Sequence, residues 1–241
     1  MRAAQTHRRH GWLRRFWRWT WRLALAWVAL TWLVVAIFRF VPPPTSAFML
    51  ERRIAAWRAG EKNFELRYHW VPWRDVSAQL PIALIASEDQ KFPSHHGFDV
   101  QAIRDAMDEA NDGERLRGAS TISQQTAKNL FLWSGRSFVR KGLEAYFTVL
   151  LEITWPKQRI LEVYTNIAEF GDGIYGADAA AHTFFREAPS QLDAYQSALL
   201  ASVLPNPKRL HADRPSPYVL NHAQWTQRQV RQLGGIGYLP R

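Results

Sequence analysis

Cysteine is absent from this 241-residue chain. Neither disulfides nor thiolate metal sites can therefore staple its fold. Acidic residues are missing from the first 41 positions, where eight arginines stand without a counter-charge: Arg2, Arg8, Arg9, Arg14, Arg15, Arg18, Arg22 and Arg39. The formal net charge of +10 is mostly a property of that segment. Removing its eight arginines from the totals of 31 Lys+Arg and 21 Asp+Glu leaves 23 basic residues against 21 acidic ones. A body so near balance lacks the massed basic surface of a nucleic-acid binder, and no nucleic acid is expected as a partner. A nucleotide P-loop is missing as well, because Gly118-Ala119-Ser120-Thr121 has neither the spacing nor the terminal Gly-Lys-Ser/Thr. No Ser-x-x-Lys pair or Lys-Thr-Gly triplet supports penicillin-type acylation. No internal repeat appears.

One long apolar run is present. Leu23 to Phe38 carries no charge and is bracketed by Arg22 and Arg39; as a helix it spans about 24 Å against a bilayer core of about 30 Å. Snorkelling arginines, with Trp19, Trp21, Phe40 and Val41 at the flanks, complete the crossing. The run ends in Arg39-Phe40-Val41-Pro42-Pro43-Pro44, with no small-x-small cleavage site, which favours an anchor over a signal peptide. Seven arginines precede the core and one follows it, so the positive-inside rule keeps the N-terminus in the cytoplasm and exports the rest. The expected layout is a cytoplasmic basic segment over 1–20, an anchor over 21–41, a linker and membrane-proximal helix over 42–60, and a catalytic domain over 61–241.

Helical signals dominate that domain. They predict helices over 45–60, Val76 to Gln90, Asp99 to about Ala110 with a stop at Asn111-Asp112-Gly113, and Ser120 or Thr121 to Leu132. Others run from Ser137 to about Thr154, closed by Pro156, and over 157–167, 178–185, 190–203 and 216–232. Alternation of Phe64, Leu66 and Tyr68 allows one short strand.

The chemistry is concentrated in a few places. Glu88 and Asp89 fall at a helix C-terminus beside apolar neighbours, where the dipole and burial raise a carboxyl pKa toward the range of a general base. The same pair also fits a cap or a surface feature. His95 and His96 with Asp89 and Asp99 match no ordinary zinc signature; tying a loop to backbone groups is the simpler role. Ser120 and Thr121 open a helix N-terminus that an anion can approach. Arg136, Arg140 and Glu144 recur every four residues, and Lys128 approaches them across Ser134-Gly135. That cluster suits a pyrophosphate, although a solvated ion-pair ladder has the same spacing.

Together these segments resemble the peptidoglycan glycosyltransferases, specifically the monofunctional biosynthetic transglycosylases of Gram-negative bacteria. Glu88, Asp89, Phe92, His95, Gly97 and Asp99 meet the first family element, and Gly118 to Asn129 meets the second with Ala119 for glycine and Ser123 for threonine. Arg140-Lys141-x-x-Glu144 looks like the third. Lys157, Ile160, Leu161, Glu162, Tyr164 and Asn166 look like the fourth, with Thr165 where leucine is usual, and Gly171, Gly173, Tyr175, Gly176, Ala179 and Ala180 complete the resemblance. It implies a mostly α, lysozyme-like domain behind a single transmembrane helix, polymerising lipid II at the cell inner membrane with the domain in the periplasm. Glu88 and Glu144 are then the catalytic carboxylates, one as base and one beside the donor pyrophosphate. Asp89, Ser120, Thr121, Gln124, Gln125, Lys128, Asn129, Arg136, Arg140 and Lys141 are the expected substrate-binding residues, with Lys141 turned away from the cleft as an open alternative. No tightly bound cofactor is expected, and a divalent cation, Mg²⁺ or Mn²⁺, is an optional helper at the pyrophosphate. The implied partners are lipid II, the growing lipid-linked strand, the membrane and other wall-synthesis proteins. A strand-cleaving enzyme with Glu88 as general acid and a non-catalytic tethered scaffold are the competing readings.

Overall fold

The computed structural model describes residues 5–102, 104 and 120–240. The chain divides into two compact units, Met1–Val41 and Pro42–Arg241.

The first unit is one helix, α1 (Gln5–Phe38), 34 residues long. Its uncharged stretch leaves Leu23, Leu25, Leu30, Trp32, Leu33 and Ile37 exposed. Apolar side chains facing outward around a helix belong in lipid rather than water. Arg14–Phe38 is long and apolar enough to cross a membrane. Near its polar end the Arg22 guanidinium lies 5.3 Å from the centre of the Trp19 ring, an arrangement suited to the headgroup level.

The second unit begins with α2 (Ala47–Ala59), capped by Ser46, whose hydroxyl accepts from Met49 N, and closed on Gly60 in the left-handed region. The short strand β1 (Arg67–Tyr68) follows, then a 3₁₀ turn over Trp73–Asp75 and α3 (Gln79–Glu88). The helix expected from Val76 starts three residues later and stops at Glu88. Pro81 gives the reason: it has no N–H to donate backward, so it is tolerated only in a first turn. Every residue from Leu80 to Ala86 is buried, and the helix is wrapped on several sides.

Beyond Asp99, whose carboxylate accepts from Ala102 N at 3.0 Å, a helix begins at Val100. Its course toward Ala110, the expected stop at Asn111-Asp112-Gly113, and Gly118-Ala119 lie outside the described residues. Next come α4 (Ile122–Phe131), α5 (Phe138–Thr154) and α6 (Lys157–Ile167). Thr121 starts α4 with a capping box, Ser137 caps α5, and Pro156 precedes α6.

The glycine-rich stretch after α6 forms a hairpin, β2 (Glu169–Gly171) and β3 (Ile174–Tyr175), and β1 pairs parallel to β3 in a sheet of order β1-β3-β2. Two of these strands escape the sequence reading because two or three residues are too few to establish alternation. Gly176 is obligatory: φ is +83° and an added Cβ would stand 2.4 Å from the Asn166 carbonyl oxygen. Helix α7 (Gly176–Ala180) passes into a π turn over Ala181–Phe185, so this segment begins two residues before the expected 178. The helix expected from 190 is split into a 3₁₀ turn, Pro189–Gln191, and α8 (Ala194–Val203), because Asp193 and Gln196 close a second capping box between them. Finally α9 (Pro217–Gln232) leads to a 3₁₀ turn, Gly235–Tyr238.

Among these elements α3 packs on α8, α9 and α6, and α4 packs on α5 and α6. The two helix groups meet where α3 ends and α4 begins. Glu88 is at that junction.

Candidate active site

Asp89 is the pivot of the junction. Its carboxylate is buried, accepts the backbone N–H of Ile122 at 2.9 Å and lies 2.9 Å from His95 Nε2. Because His95 Nδ1 accepts from Gly97 N at 3.0 Å, the ring proton sits on Nε2 and is donated to Asp89. The first turn of α4 thus receives a carboxylate at its positive end. His96 takes no part. This settles His95 as a loop tie, and Asp89 is engaged inside the protein rather than reaching outward.

The loop so fixed lies tightly on α5. Gly97 has φ +87°, and a Cβ there would approach Thr148 Cγ2 to 2.8 Å and Glu152 Cγ to 2.9 Å. Thr121 donates its hydroxyl to the Gly97 carbonyl at 2.7 Å, and its backbone N–H donates to Gln124 Oε1 at 3.0 Å. Both Thr121 and Gln124 are spent on capping α4 and holding the loop. A cavity of about 170 Å³ opens between Glu88, Asp89, Lys91, Asp99, Ser120 and Thr121.

Glu88 ends α3 and is one of the residues lining that cavity. Gln125 Nε2 donates to Glu88 Oε2 at 2.8 Å, and Gln125 Oε1 accepts from the Tyr164 hydroxyl at 2.8 Å. Burial pushes the Glu88 carboxyl above the usual glutamate range. The Gln125 hydrogen bond and the charge of Lys128 oppose that rise, and the charge of Asp89 adds to it. A carboxylate raised by burial and still reachable is suited to take up a proton near neutral pH.

One turn further along α4, the chemistry changes sign. Lys128 is largely buried, with its Nζ 5.6 Å from the centre of the Phe48 ring on α2. Burial lowers its pKa; Arg140 and Lys141 lower it too, whereas Glu144 and Glu88 raise it. Glu144 is buried on α5 and accepts from Arg140 NH1 at 2.5 Å and from Lys141 Nζ. Lys141 turns toward the same carboxylate as Arg140, with about half of its side chain exposed. Arg136 stays exposed in the loop before α5. Three cations surround one carboxylate, leaving an excess of positive charge. Asn129 Oδ1 and Arg140 Nε are buried with no hydrogen-bond partner among the described residues. Buried polar atoms of that kind call for a ligand or water.

Compared with known protein families, the chain matches the model described as Transglycosylase over residues 57–234. Proteins named biosynthetic peptidoglycan transglycosylase align over nearly the whole chain. That of Xanthomonas campestris pv. campestris (strain B100) is 54% identical over 226 residues, covering 94% of this chain and 92% of the relative. That of Stutzerimonas stutzeri is 56% identical over 220 residues, covering 91% and 90%, and that of Chromohalobacter salexigens is 52% identical over 230, covering 95% and 98%.

The chain belongs to the transglycosylase family.

Within this transglycosylase, Gln125 and Lys128 are three apart on α4 and so share a face. Glu88 and the Glu144 cluster accordingly flank one side of one helix, Glu88 through Gln125 and the cluster through Lys128. The remaining residues of the resemblance serve as braces. Asn166 accepts from Val71 N at 2.8 Å and donates to Val71 O at 2.9 Å, while Glu162 accepts from Trp73 N at 2.8 Å. Glu152, paired with Lys157 at 2.7 Å, also accepts from Ser123. Sequence reasoning on the chemical groups passed over Tyr164, a buried tyrosine within an amphipathic helix that nothing in its spacing distinguishes from core.

The donor set does not fit a resident divalent cation. Both Glu144 oxygens are occupied by Arg140 and Lys141. Among the described residues no three His, Cys, Asp or Glu side chains converge on one point.

Proposed function

We propose that this transglycosylase polymerises lipid II into β-1,4-linked glycan strands of peptidoglycan, consuming an undecaprenyl-pyrophosphate-linked donor with inversion. The observation that carries the reading is that one face of α4 joins a proton-accepting carboxylate, Glu88, to a cluster with excess positive charge. The names of the relatives supply the substrate class.

Glu88 removes the proton from the 4-hydroxyl of the acceptor sugar. That oxygen attacks the anomeric carbon of the donor chain, and the bond from this carbon to the pyrophosphate oxygen breaks. The lipid pyrophosphate leaves with the electron pair. Lys128, Arg140 and Lys141 stabilise the charge it gains, and the largely buried Lys128 and Arg140, being held in place, favour the transition state as well as binding. Glu144 holds Arg140 and Lys141 in position. Arg140 Nε offers an unspent donor to the phosphate, and Asn129 Oδ1 offers an acceptor to a donor hydroxyl. Ser120 faces the acceptor in the Glu88 cavity, Asp89, Thr121 and Gln124 support that wall, and Arg136 extends the positive field at its rim.

The polyprenyl tail cannot leave the bilayer cheaply, so the enzyme must work beside it. Residues 21–41 anchor it in the inner membrane, 1–20 remain cytoplasmic, 42–60 link the anchor, and 61–241 act in the periplasm. Purified full-length protein supplied with lipid II is expected to make polymer and, supplied with finished sacculi, to release no fragments. Fragment release without polymer would reassign it to strand cleavage. Glu88→Gln is expected to abolish polymer formation in a folded protein; unchanged product would remove Glu88 as the base.

A further inference from the structure

The phenol of Tyr164 is buried on α6, behind the site rather than in it. Among the described residues its hydroxyl bonds one polar side chain, Gln125, and that amide in turn bonds Glu88. The Tyr164 hydroxyl donates to the Gln125 carbonyl oxygen, which stabilises the amide orientation that turns the other end toward the carboxylate. The NH₂ end is the one left for Glu88.

We propose that Tyr164 is a positioning residue which, acting through Gln125, commits Glu88 Oε2 to accepting a hydrogen bond and leaves Oε1 as the oxygen that takes the proton from the acceptor hydroxyl. The inference rests on Glu88 being the base. If the phenol is removed, the Gln125 amide loses the donor that selects its orientation. It can then turn and offer its oxygen to Glu88, an arrangement that favours the protonated acid. The tyrosine thus keeps the resting carboxylate deprotonated without touching substrate.

Other groups around Glu88 leave this role to the amide. Asp89 adjoins it and disfavours its negative charge, while Lys128 on α4 favours it. Asp89 is itself held by His95 and the α4 N-terminus, and Lys128 is balanced by Glu144, Arg140 and Lys141 on α5. Gln125 gives the only side-chain hydrogen bond to Glu88 among the described residues. Burial and the negative charges of Glu88 and Asp89 raise the Tyr164 phenol well above its ordinary value, so it remains a donor throughout the working pH range.

The test compares the pH dependence of polymer formation from lipid II by the full-length wild type, Tyr164→Phe, Gln125→Met and Glu88→Gln. A hydrogen bond to a charged group corresponds to about one pH unit or somewhat more. Loss of that bond raises the Glu88 pKa, so the acidic limb of the profile should move up by about one unit in both Tyr164→Phe and Gln125→Met. Below the limb the rate should fall roughly tenfold through kcat, with KM nearly unchanged. The double variant should match Gln125→Met alone, because both act along one path. Should Tyr164→Phe fold poorly, fluorotyrosine at position 164 keeps the shape and donates more strongly, so the limb should move downward. Wild-type limbs in these variants, with Glu88→Gln inactive, would overturn the relay and leave the base intact. An active Glu88→Gln enzyme would instead remove the base itself.

Discussion

Replacing Glu144 by glutamine tests the electrostatic reading of the α5 cluster. The carboxylate has a side-chain exposure of 3%, and its partner Arg140 one of 12%. Taking the charge from one member of a buried pair leaves the other uncompensated, at a cost of about 3–5 kcal/mol. Lys141 is 49% exposed and turns readily to solvent, so its share of the loss is small. The lower end, about 3 kcal/mol, is the appropriate figure. For a domain of this size each kcal/mol moves Tm by about 2–4 °C, so Glu144→Gln should melt about 6–12 °C below wild type by circular dichroism in detergent. Replacing both Glu144 and Arg140 by methionine should recover part of that loss, because the Arg140 charge is removed along with its partner, whereas Lys128 lacks the Glu144 carboxylate in both variants. A Glu144→Gln Tm within about 2 °C of wild type, less than one kcal/mol on the same scale, or a double variant less stable than the single one, would overturn this account of the cluster.

Three further outcomes follow from other features. Glu88→Gln should raise Tm, because the raised carboxyl pKa means that its ionised form costs stability: this contribution is fully present below the unfolded-state pKa and is lost as pH rises through the folded one. The gap between variant and wild type should therefore shrink on acidification, as thermal melts across pH would record. Gly97→Ala combines a positive φ with contacts under 3 Å to Thr148 and Glu152, so a loss of about 2 kcal/mol or more is expected in denaturant titration, with slower polymer formation because the Asp89–His95 loop shifts. Arg52 holds Asp172 through two bonds of 2.7 Å and Glu61 through one of 2.8 Å. Arg52→Ala should cost about 1–2 kcal/mol, discounted for the half-exposed acids, and should speed amide exchange selectively within α2.

The long helices were legible because their signals are local. Ser137 and Pro156 bracket α5, Thr121 and Gln124 mark the start of α4, and the apolar stripe of α9 repeats for sixteen residues. The Glu88–Asp89 and Arg140–Glu144 pairs also stood out, since charges beside apolar neighbours are conspicuous in one dimension. What the sequence hid depends on contacts between distant segments. Pairing of Arg67 with Ile174 makes a strand from two residues, and Asn166 reaches back 95 positions to hold Val71. Gln124 and Gln125 are adjacent and chemically identical, yet the first closes a helix end and the second meets Glu88. Spacing cannot separate them; the packing of α4 on α6 and its hydrogen bond to the end of α3 do.

Helix α4 is a ten-residue rod bearing Gln125 near its middle and Lys128 a turn beyond. Any displacement of that rod would move Gln125 and Lys128 together, so the hydrogen bond to Glu88 on α3 and the charge set against Glu144 on α5 would change in one event.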